Sequence, residues 1–405
     1  MLKKLLKNSS IYLGTEILNK AIPFLLLPII TTYLSPTEYG VYGMYQVLIS
    51  FIIPFIGMNL HIHITINYFK ISKEKLSEIL NSILVLLHFH TLLALIVVFI
   101  ISFFINNPLG IENRYLYILP LIIYIQMINT FNLTILRNQE KALKYGIIQI
   151  TISIFNFSSV LLLLLCFNMG WTSLVYGLLI GHFIVFLYSF YYMKVEYNLK
   201  FNIFYSFKKI YLISLPLIFH LIGGSIIFLS DRIFIQQMQG LKDVGLYSIG
   251  NQFGIITLIV LNSVVLAINP WMYKKLANNE NILKYIYLLM GLFLIIGVVI
   301  WLSALFVFPY MVDSKYVEAK NVIFWISIGF VFRGWYQLFY NVVLNEGKTK
   351  IFMYITLGAG ISNLILNYFL IRLNGIVGAA QATMIAFFIM FLLTFSYIKK
   401  KDILL

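Results

Sequence analysis

Three cations, Lys20, Arg232 and Arg333, interrupt stretches that are otherwise apolar enough to lie in lipid. A charge at the bilayer centre costs about 2.5–3.5 kcal/mol on insertion scales, so such residues normally face a bundle interior or a water-filled cavity and mark ion or substrate paths. Lys20 lies in the inner half of the first apolar run, Arg333 near the middle of the tenth and Arg232 in the outer half of the seventh. Facing one lumen, they form a cationic path at three depths, suited to a ligand of opposite charge. Structural pairing is the alternative. Glu16 and Lys20 stand at i, i+4 on one helix face and can neutralise each other. Asp231 and Arg232 are adjacent, about 100° apart around a helix, and need separate partners. Arg333 has no acid nearby in sequence.

Polar stripes run along the same stretches. Arg333, Tyr336, Gln337, Tyr340 and Asn341 recur at helical spacing on one face. Gln126, Asn129 and Thr130 repeat the first part of that pattern. Tyr247, Asn251, Asn262 and Asn269 align on another span, and Gln149, Ser153, Asn156 and Thr356, Asn363, Asn367 on two more. Amides, hydroxyls and aromatic faces suit a sugar-bearing ligand; the assigned contacts are Lys20, Arg232, Arg333, Tyr336, Gln337, Tyr340, Asn341, Asn251 and Gln46. Interhelical hydrogen bonding, at about 0.6 kcal/mol each, is the competing reading for any single amide.

All six histidines fall in apolar stretches, and His220, Gly224, Ile227 and Asp231 share one helix face. Burial brings carboxyl and imidazole groups into the titration range of a proton relay, so Glu16, Asp231 and His220 are the ion-coupling candidates. A neutral, hydrogen-bonded role is the alternative for each histidine. No H-E-x-x-H, C-x-x-C, G-x-x-x-x-G-K-[ST] or triad-like pattern stands out. The chain reads as a transporter rather than an enzyme, with no metal or cofactor, driven by a proton or sodium gradient or by substrate flux.

The elements that must position these residues follow from composition. Hydrophobic residues make up 61% of the 405 residues and charged residues 11%, too few polar groups to coat a soluble globule. A crossing needs about 20 apolar residues, and the charges cut the chain into twelve such stretches, roughly 9–34, 41–69, 77–105, 115–136, 146–167, 174–193, 210–238, 246–273, 285–308, 321–344, 352–372 and 376–398. The basic start before the first stretch is not read as a signal peptide, because the apolar run continues for a full span without a small-residue cleavage site. Cys166, the single cysteine, excludes a disulfide framework or thiol metal site. Prolines 23, 28, 54, 216 and 270 permit bends.

The net charge of +15 reports topology rather than nucleic-acid binding. With the N-terminus inside, 21 of the 29 cations fall in cytoplasmic segments and 5 outside, which obeys the positive-inside rule and places both termini in the cytoplasm. The halves also repeat. Glu38-Tyr-Gly40-Val-Tyr42 matches Asp243-Val-Gly245-Leu-Tyr247, and Asn156 matches Asn363, at offsets of 205 and 207. Both offsets span six helices, so the repeats are parallel. The expected architecture is all-α and integral to the membrane: two pseudo-symmetric six-helix bundles, 1–200 and 201–405, around a central cavity and joined by the basic loop from Lys194 to Lys209.

The run Pro28-Ile-Ile-Thr-Thr-Tyr-Leu-Ser-Pro36-Thr-Glu38-Tyr-Gly40-Val-Tyr42 resembles Wzx-type polysaccharide flippases of the multidrug/oligosaccharidyl-lipid/polysaccharide exporter superfamily. Ser230-Asp231-Arg232 with Gly245-Leu-Tyr247 looks like their second half, and Asn345-Glu-Gly347-Lys348-Thr like the loop after their tenth helix. Members often carry an arginine near the position of Thr32, which is absent here. The resemblance implies translocation of undecaprenyl-diphosphate-linked oligosaccharide repeat units between leaflets of a bacterial plasma membrane, as in O-antigen or capsule assembly. The implied partners are the lipid-linked substrate, the bilayer and other polysaccharide-assembly membrane proteins, with no nucleic acid. Buried Arg and Lys can hold a diphosphate through charge-assisted bonds. The rivals are a cation-coupled multidrug exporter of the same superfamily, which wants acids in its lumen, and a peptidoglycan-precursor flippase, which generally has fourteen helices.

Overall fold

The computed structural model describes Ile11, Gly14, Thr15, Leu18, Asn19 and residues 21–200, 207–278, 280–345 and 350–400. Every regular element among these residues is a helix, with no strand. The described helices are α1 (Leu27–Tyr33), α2 (Pro36–Gly57), α3 (His61–Asn67), α4 (Lys73–Phe104), α5 (Ile118–Asn138), α6 (Ala142–Leu165), α7 (Thr172–Tyr197), α8 (Phe207–Met238), α9 (Leu241–Ala277), α10 (Leu283–Met311), α11 (Lys320–Asn345) and α12 (Lys350–Lys400). Nine segments among the described residues are long and apolar enough to cross a membrane. Their outward faces carry large apolar side chains such as Leu92, Phe99, Leu288, Ile295 and Phe306. An apolar exterior of this kind requires lipid as its solvent, so the protein is a multi-pass membrane protein.

Two boundaries differ from the sequence expectation. The stretch expected as one helix over 41–69 breaks into α2 and α3, where Met58 and Asn59 take positive φ values of 44° and 54°. Pro54 lies in the last turn of α2, where its ring has removed one backbone donor. The last two expected spans form the two arms of α12, which folds back at Gly375, with φ 56° and ψ −135°. Only glycine takes that conformation at low cost.

The chain forms two compact units. The first holds residues 1–33 and 44–222, and the second holds 34–43 and 223–405. The division therefore falls within α8 rather than in the basic loop near residue 200. In the first unit His63 Nε2 lies 3.1 Å from Ser214 Oγ, and His90 Nε2 lies 2.8 Å from the Tyr211 hydroxyl. These bonds tie the beginning of α8 to α3 and α4. Tyr45, fully buried, donates to the Tyr115 carbonyl at 3.1 Å. Leu136, Ile148, Ile152 and Val185 pack α5, α6 and α7 together.

In the second unit the segment 34–43 packs on α9 and on Tyr316. Ser35 and Glu38 form a capping box at the start of α2: Ser35 N–H donates to Glu38 Oε2 at 2.9 Å, and Glu38 N–H donates to Ser35 Oγ at 3.2 Å. The buried Tyr316 hydroxyl donates to the Leu34 carbonyl at 3.0 Å. A Cβ on Gly40 would lie 1.8 Å from the Leu241 carbonyl oxygen, and one on Gly245 1.9 Å from the Pro36 carbonyl oxygen. The two repeat motifs thus meet each other, and their central glycines let the starts of α2 and α9 cross in backbone contact.

Gly245→Ala should destabilise the protein by about 1–3 kcal/mol, the usual cost of forcing extra volume into a packed site. This is read as a lower unfolding temperature of the detergent-solubilised protein. Gly291→Ala, whose Cβ meets nothing within 4 Å, should leave that temperature unchanged.

Candidate functional site

The second unit is organised around one carboxylate. Asp231 on α8 is 2% exposed. Its Oδ2 accepts hydrogen bonds from the Tyr247 hydroxyl on α9 and from Thr383 Oγ1 at 2.8 Å, on the second arm of α12. Its Oδ1 accepts from Asn367 Nδ2 at 3.0 Å, on the first arm. The hairpin at Gly375 is what brings Asn367 and Thr383 to the same side chain. A further layer supports them: Asn363 Oδ1 accepts from Asn367 Nδ2 and from Ser230 Oγ, each at 3.1 Å, and Asn363 Nδ2 reaches Thr383 Oγ1 at 3.5 Å.

Every group bonded to Asp231 donates. A carboxylate removed from water is costly unless charge-assisted hydrogen bonds compensate it, and here three neutral donors do so, because no ion pair involves Asp231 among the described residues. Asn367 Oδ1 is buried without a hydrogen-bond partner. The cluster therefore surrounds the buried Asp231 carboxyl group with hydroxyl and amide donors and leaves one unpartnered acceptor, Asn367 Oδ1.

The arginines lie beside this cluster. Arg232 Nε donates to Ser248 Oγ at 3.2 Å, and its Nη1 donates to the Phe228 carbonyl at 3.3 Å. Its guanidinium carbon stands 5.7 Å from the centre of the Tyr247 ring. Arg333 on α11 lies over the Phe228 ring at 4.7 Å and the Phe387 ring at 5.8 Å. Phe330 closes this aromatic group, 6.5 Å from Phe228 and 6.0 Å from Phe387. Desolvated cation–π contacts are worth about 2 kcal/mol. Phe228 thus touches both arginines, through its carbonyl and its ring. Neither arginine forms an ion pair among the described residues.

The remaining expected site residues separate into groups. Tyr336 and Tyr340 on α11 have ring centres 5.7 Å apart, and Tyr340 packs on Phe352 at 4.1 Å. Asn341 donates to Asn269 Oδ1 at 2.7 Å and accepts from the Tyr273 hydroxyl at 3.2 Å, an interhelical amide bond between α9 and α11. Gln337 Oε1 is buried without a partner. Asn251 is half-buried, one turn beyond Tyr247 on α9. Gln46 is half-buried and belongs to the first unit. Glu16 and Lys20, and the side chain of His220, lie outside the described residues.

Sequence reasoning missed Thr383 and Ser248; it placed Asn363 and Asn367 on one polar stripe, open to sugar contact or interhelical bonding, without connecting them to Asp231. The i, i+4 spacing of the two asparagines marked a shared face but could not say what that face met. Thr383 sits in an apolar run where a lone hydroxyl carries no pattern.

Comparison with known proteins places this geometry. A family model described as polysaccharide biosynthesis protein matches residues 5–276, and one described as MatE matches residues 216–369. Two proteins of Haemophilus influenzae are similar along most of their length. "Lsg locus putative protein 1" is 24% identical over 357 residues, covering 86% of each chain. An "uncharacterized membrane protein" is 26% identical over 364 residues, covering 85% of each. Among solved structures, the fold is shared with a lipid II flippase, MurJ, in an inward closed conformation (TM-score 0.75, 16% identity, 98% of this chain and 89% of that one). It is shared equally with a multidrug resistance MATE family transporter of the MOP superfamily in an inward-facing conformation (TM-score 0.75, 13% identity, 95% of each).

Thr383→Val removes one donor from Asp231 and should destabilise the protein by about 1–3 kcal/mol, measured by thermal unfolding in detergent. Ser362→Ala, which removes only a bond from Ser362 Oγ to the Gly358 carbonyl of its own helix, should be neutral.

Proposed function

We propose that this chain, which belongs to the polysaccharide biosynthesis protein family and is a multi-pass membrane transporter, flips undecaprenyl-diphosphate-linked oligosaccharide repeat units from the inner to the outer leaflet of the bacterial plasma membrane, with both termini cytoplasmic. The observation that carries this reading is the pair of arginines that meet Phe228, Arg232 at its carbonyl and Arg333 at its ring, neither in an ion pair among the described residues. A cation kept in an apolar segment at a cost of about 2.5–3.5 kcal/mol without a carboxylate beside it favours an anionic ligand. Arginine suits a diphosphate through paired charge-assisted bonds. Lys20 adds a third cation.

In the second unit Tyr336, Gln337, Tyr340, Asn341 and Asn251 supply rings and amides for the sugars; the contact in the first unit is Gln46. Asn341 would exchange its bonds to Asn269 and Tyr273 for sugar hydroxyls. The fold shared with a lipid II flippase supports a lipid-linked headgroup. The polyprenyl tail stays in lipid, and the units alternate access to the two leaflets.

The coupling residue of the second unit in this reading is Asp231; Glu16 and His220 are the coupling candidates of the first unit. The Asp231 carboxylate alone can take a proton; sodium would displace the donors on it, with Asn367 turning Oδ1 rather than Nδ2 to the ion and Thr383 offering its hydroxyl oxygen. A cation-coupled drug exporter is disfavoured by the same residue: Asp231 is 2% exposed and closed off by three donors, so it is not presented to a bulky organic cation.

Arg232→Ala and Arg333→Ala proteins, present at normal membrane levels in a flippase-deletion strain, should restore less than about a tenth of the surface glycan, since losing one charge-assisted contact costs about 1.5–3 kcal/mol. Full restoration by both would remove the anionic-headgroup reading.

A further inference from the structure

Asp231 and Arg232 are neighbours in sequence, yet their side chains diverge, and no salt bridge joins them among the described residues. Tyr247 bridges them. Its hydroxyl donates to Asp231 Oδ2, and its ring lies 5.7 Å beneath the Arg232 guanidinium. Ser248, the next residue on α9, accepts from Arg232 Nε at 3.2 Å and holds the guanidinium above that ring. Tyr247 is itself 2% exposed and cannot turn toward solvent. It therefore has one end on the buried anion and one face on the intramembrane cation.

We infer that Tyr247 is a positioning residue that couples cation occupancy at Asp231 to anion binding at Arg232. The inference rests on the reading of Asp231 as the coupling site and of Arg232 as a diphosphate contact. A cation arriving at Asp231 competes with the Tyr247 hydroxyl for Oδ2. As the O–H lets go, the ring loses its anchor and slackens its hold on the guanidinium, whose donors turn to the diphosphate. Neutralising the carboxylate also raises the positive potential at Arg232, so both effects act in one direction. By linkage the coupling is reciprocal: a diphosphate on Arg232 tightens the cation site by the same factor. Among the described residues the titratable groups beside Asp231 are Tyr247 and Arg232; the α12 side chains described around it, Asn363, Asn367 and Thr383, do not titrate.

Thr383 serves as the internal comparison, since its hydroxyl donates to the same oxygen but has no described contact with Arg232. Tyr247→Phe deletes one hydroxyl and keeps the ring under the guanidinium. Thr383→Val deletes the other hydroxyl and keeps the bridge.

The test titrates geranylgeranyl diphosphate onto the purified full-length protein in detergent. One arm compares saturating sodium with choline, and the other compares pH 6 with pH 8 in choline. In the wild type, sodium or acid should tighten binding about five-fold or more, the lower end of typical allosteric couplings. Thr383→Val, whose hydroxyl faces the same carboxylate but does not reach Arg232, should keep the response to acid, which needs only the carboxylate. Tyr247→Phe, whose ring is never anchored, should bind without the cation about as tightly as the wild type does with it, and should keep only the smaller part of the response that comes from neutralising the carboxylate. A Tyr247→Phe protein that responds as the wild type does overturns the role of Tyr247 while leaving both sites standing. Unchanged binding by Arg232→Ala, or a wild type that responds to neither cation, overturns the coupling together with the reading beneath it.

Discussion

A carboxylate buried in an apolar helix is the constraint on which the second unit depends. Asp231 can be tolerated there only if several elements each deliver a donor to it, and they do: α9 brings Tyr247, the first arm of α12 brings Asn367 and the second arm brings Thr383. None of these bonds is local in sequence. Burial of one carboxyl group therefore specifies how three helices pack, and neutral donors rather than a cation compensate it.

The two internal repeats acquire a physical meaning from the same unit. Gly40 and Gly245 let the beginnings of α2 and α9 touch through their backbones, which sets the depth and rotation of α9. Tyr247 stands two residues beyond Gly245, so the crossing aims its hydroxyl at Asp231. In the first copy Glu38 caps its own helix with Ser35, so the equivalent motif serves helix geometry there. The motif Asp243-Val-Gly245-Leu-Tyr247 thus joins a packing requirement to a polar one.

Much of the helical layout was legible because apolar length and the positions of cations report directly on lipid. Most of the expected stretches that fall on described residues begin and end within several residues of a helix, and the turn at Gly375 lies in the gap expected between 372 and 376. The break at Met58 and Asn59 was not, since Pro54 announces a bend without saying where the helix resumes. The division of the chain within α8 was hidden too, because it rests on His63 meeting Ser214 and His90 meeting Tyr211, contacts more than a hundred residues apart. At the site, Asp231, Arg232 and Arg333 announced themselves as charges in apolar runs. Their surroundings did not: helical spacing shows which residues share a face, but not which face meets it across an interface.

The most direct test of the account follows a diphosphate-linked lipid across proteoliposome membranes under an imposed sodium or proton gradient. The wild type should move it faster, and further toward one leaflet, with the gradient than without. Asp231→Asn should still equilibrate the lipid but show no dependence on either gradient. If the Asp231→Asn protein remains gradient-driven to the same degree as the wild type, the buried carboxylate is not the coupling site and the account fails.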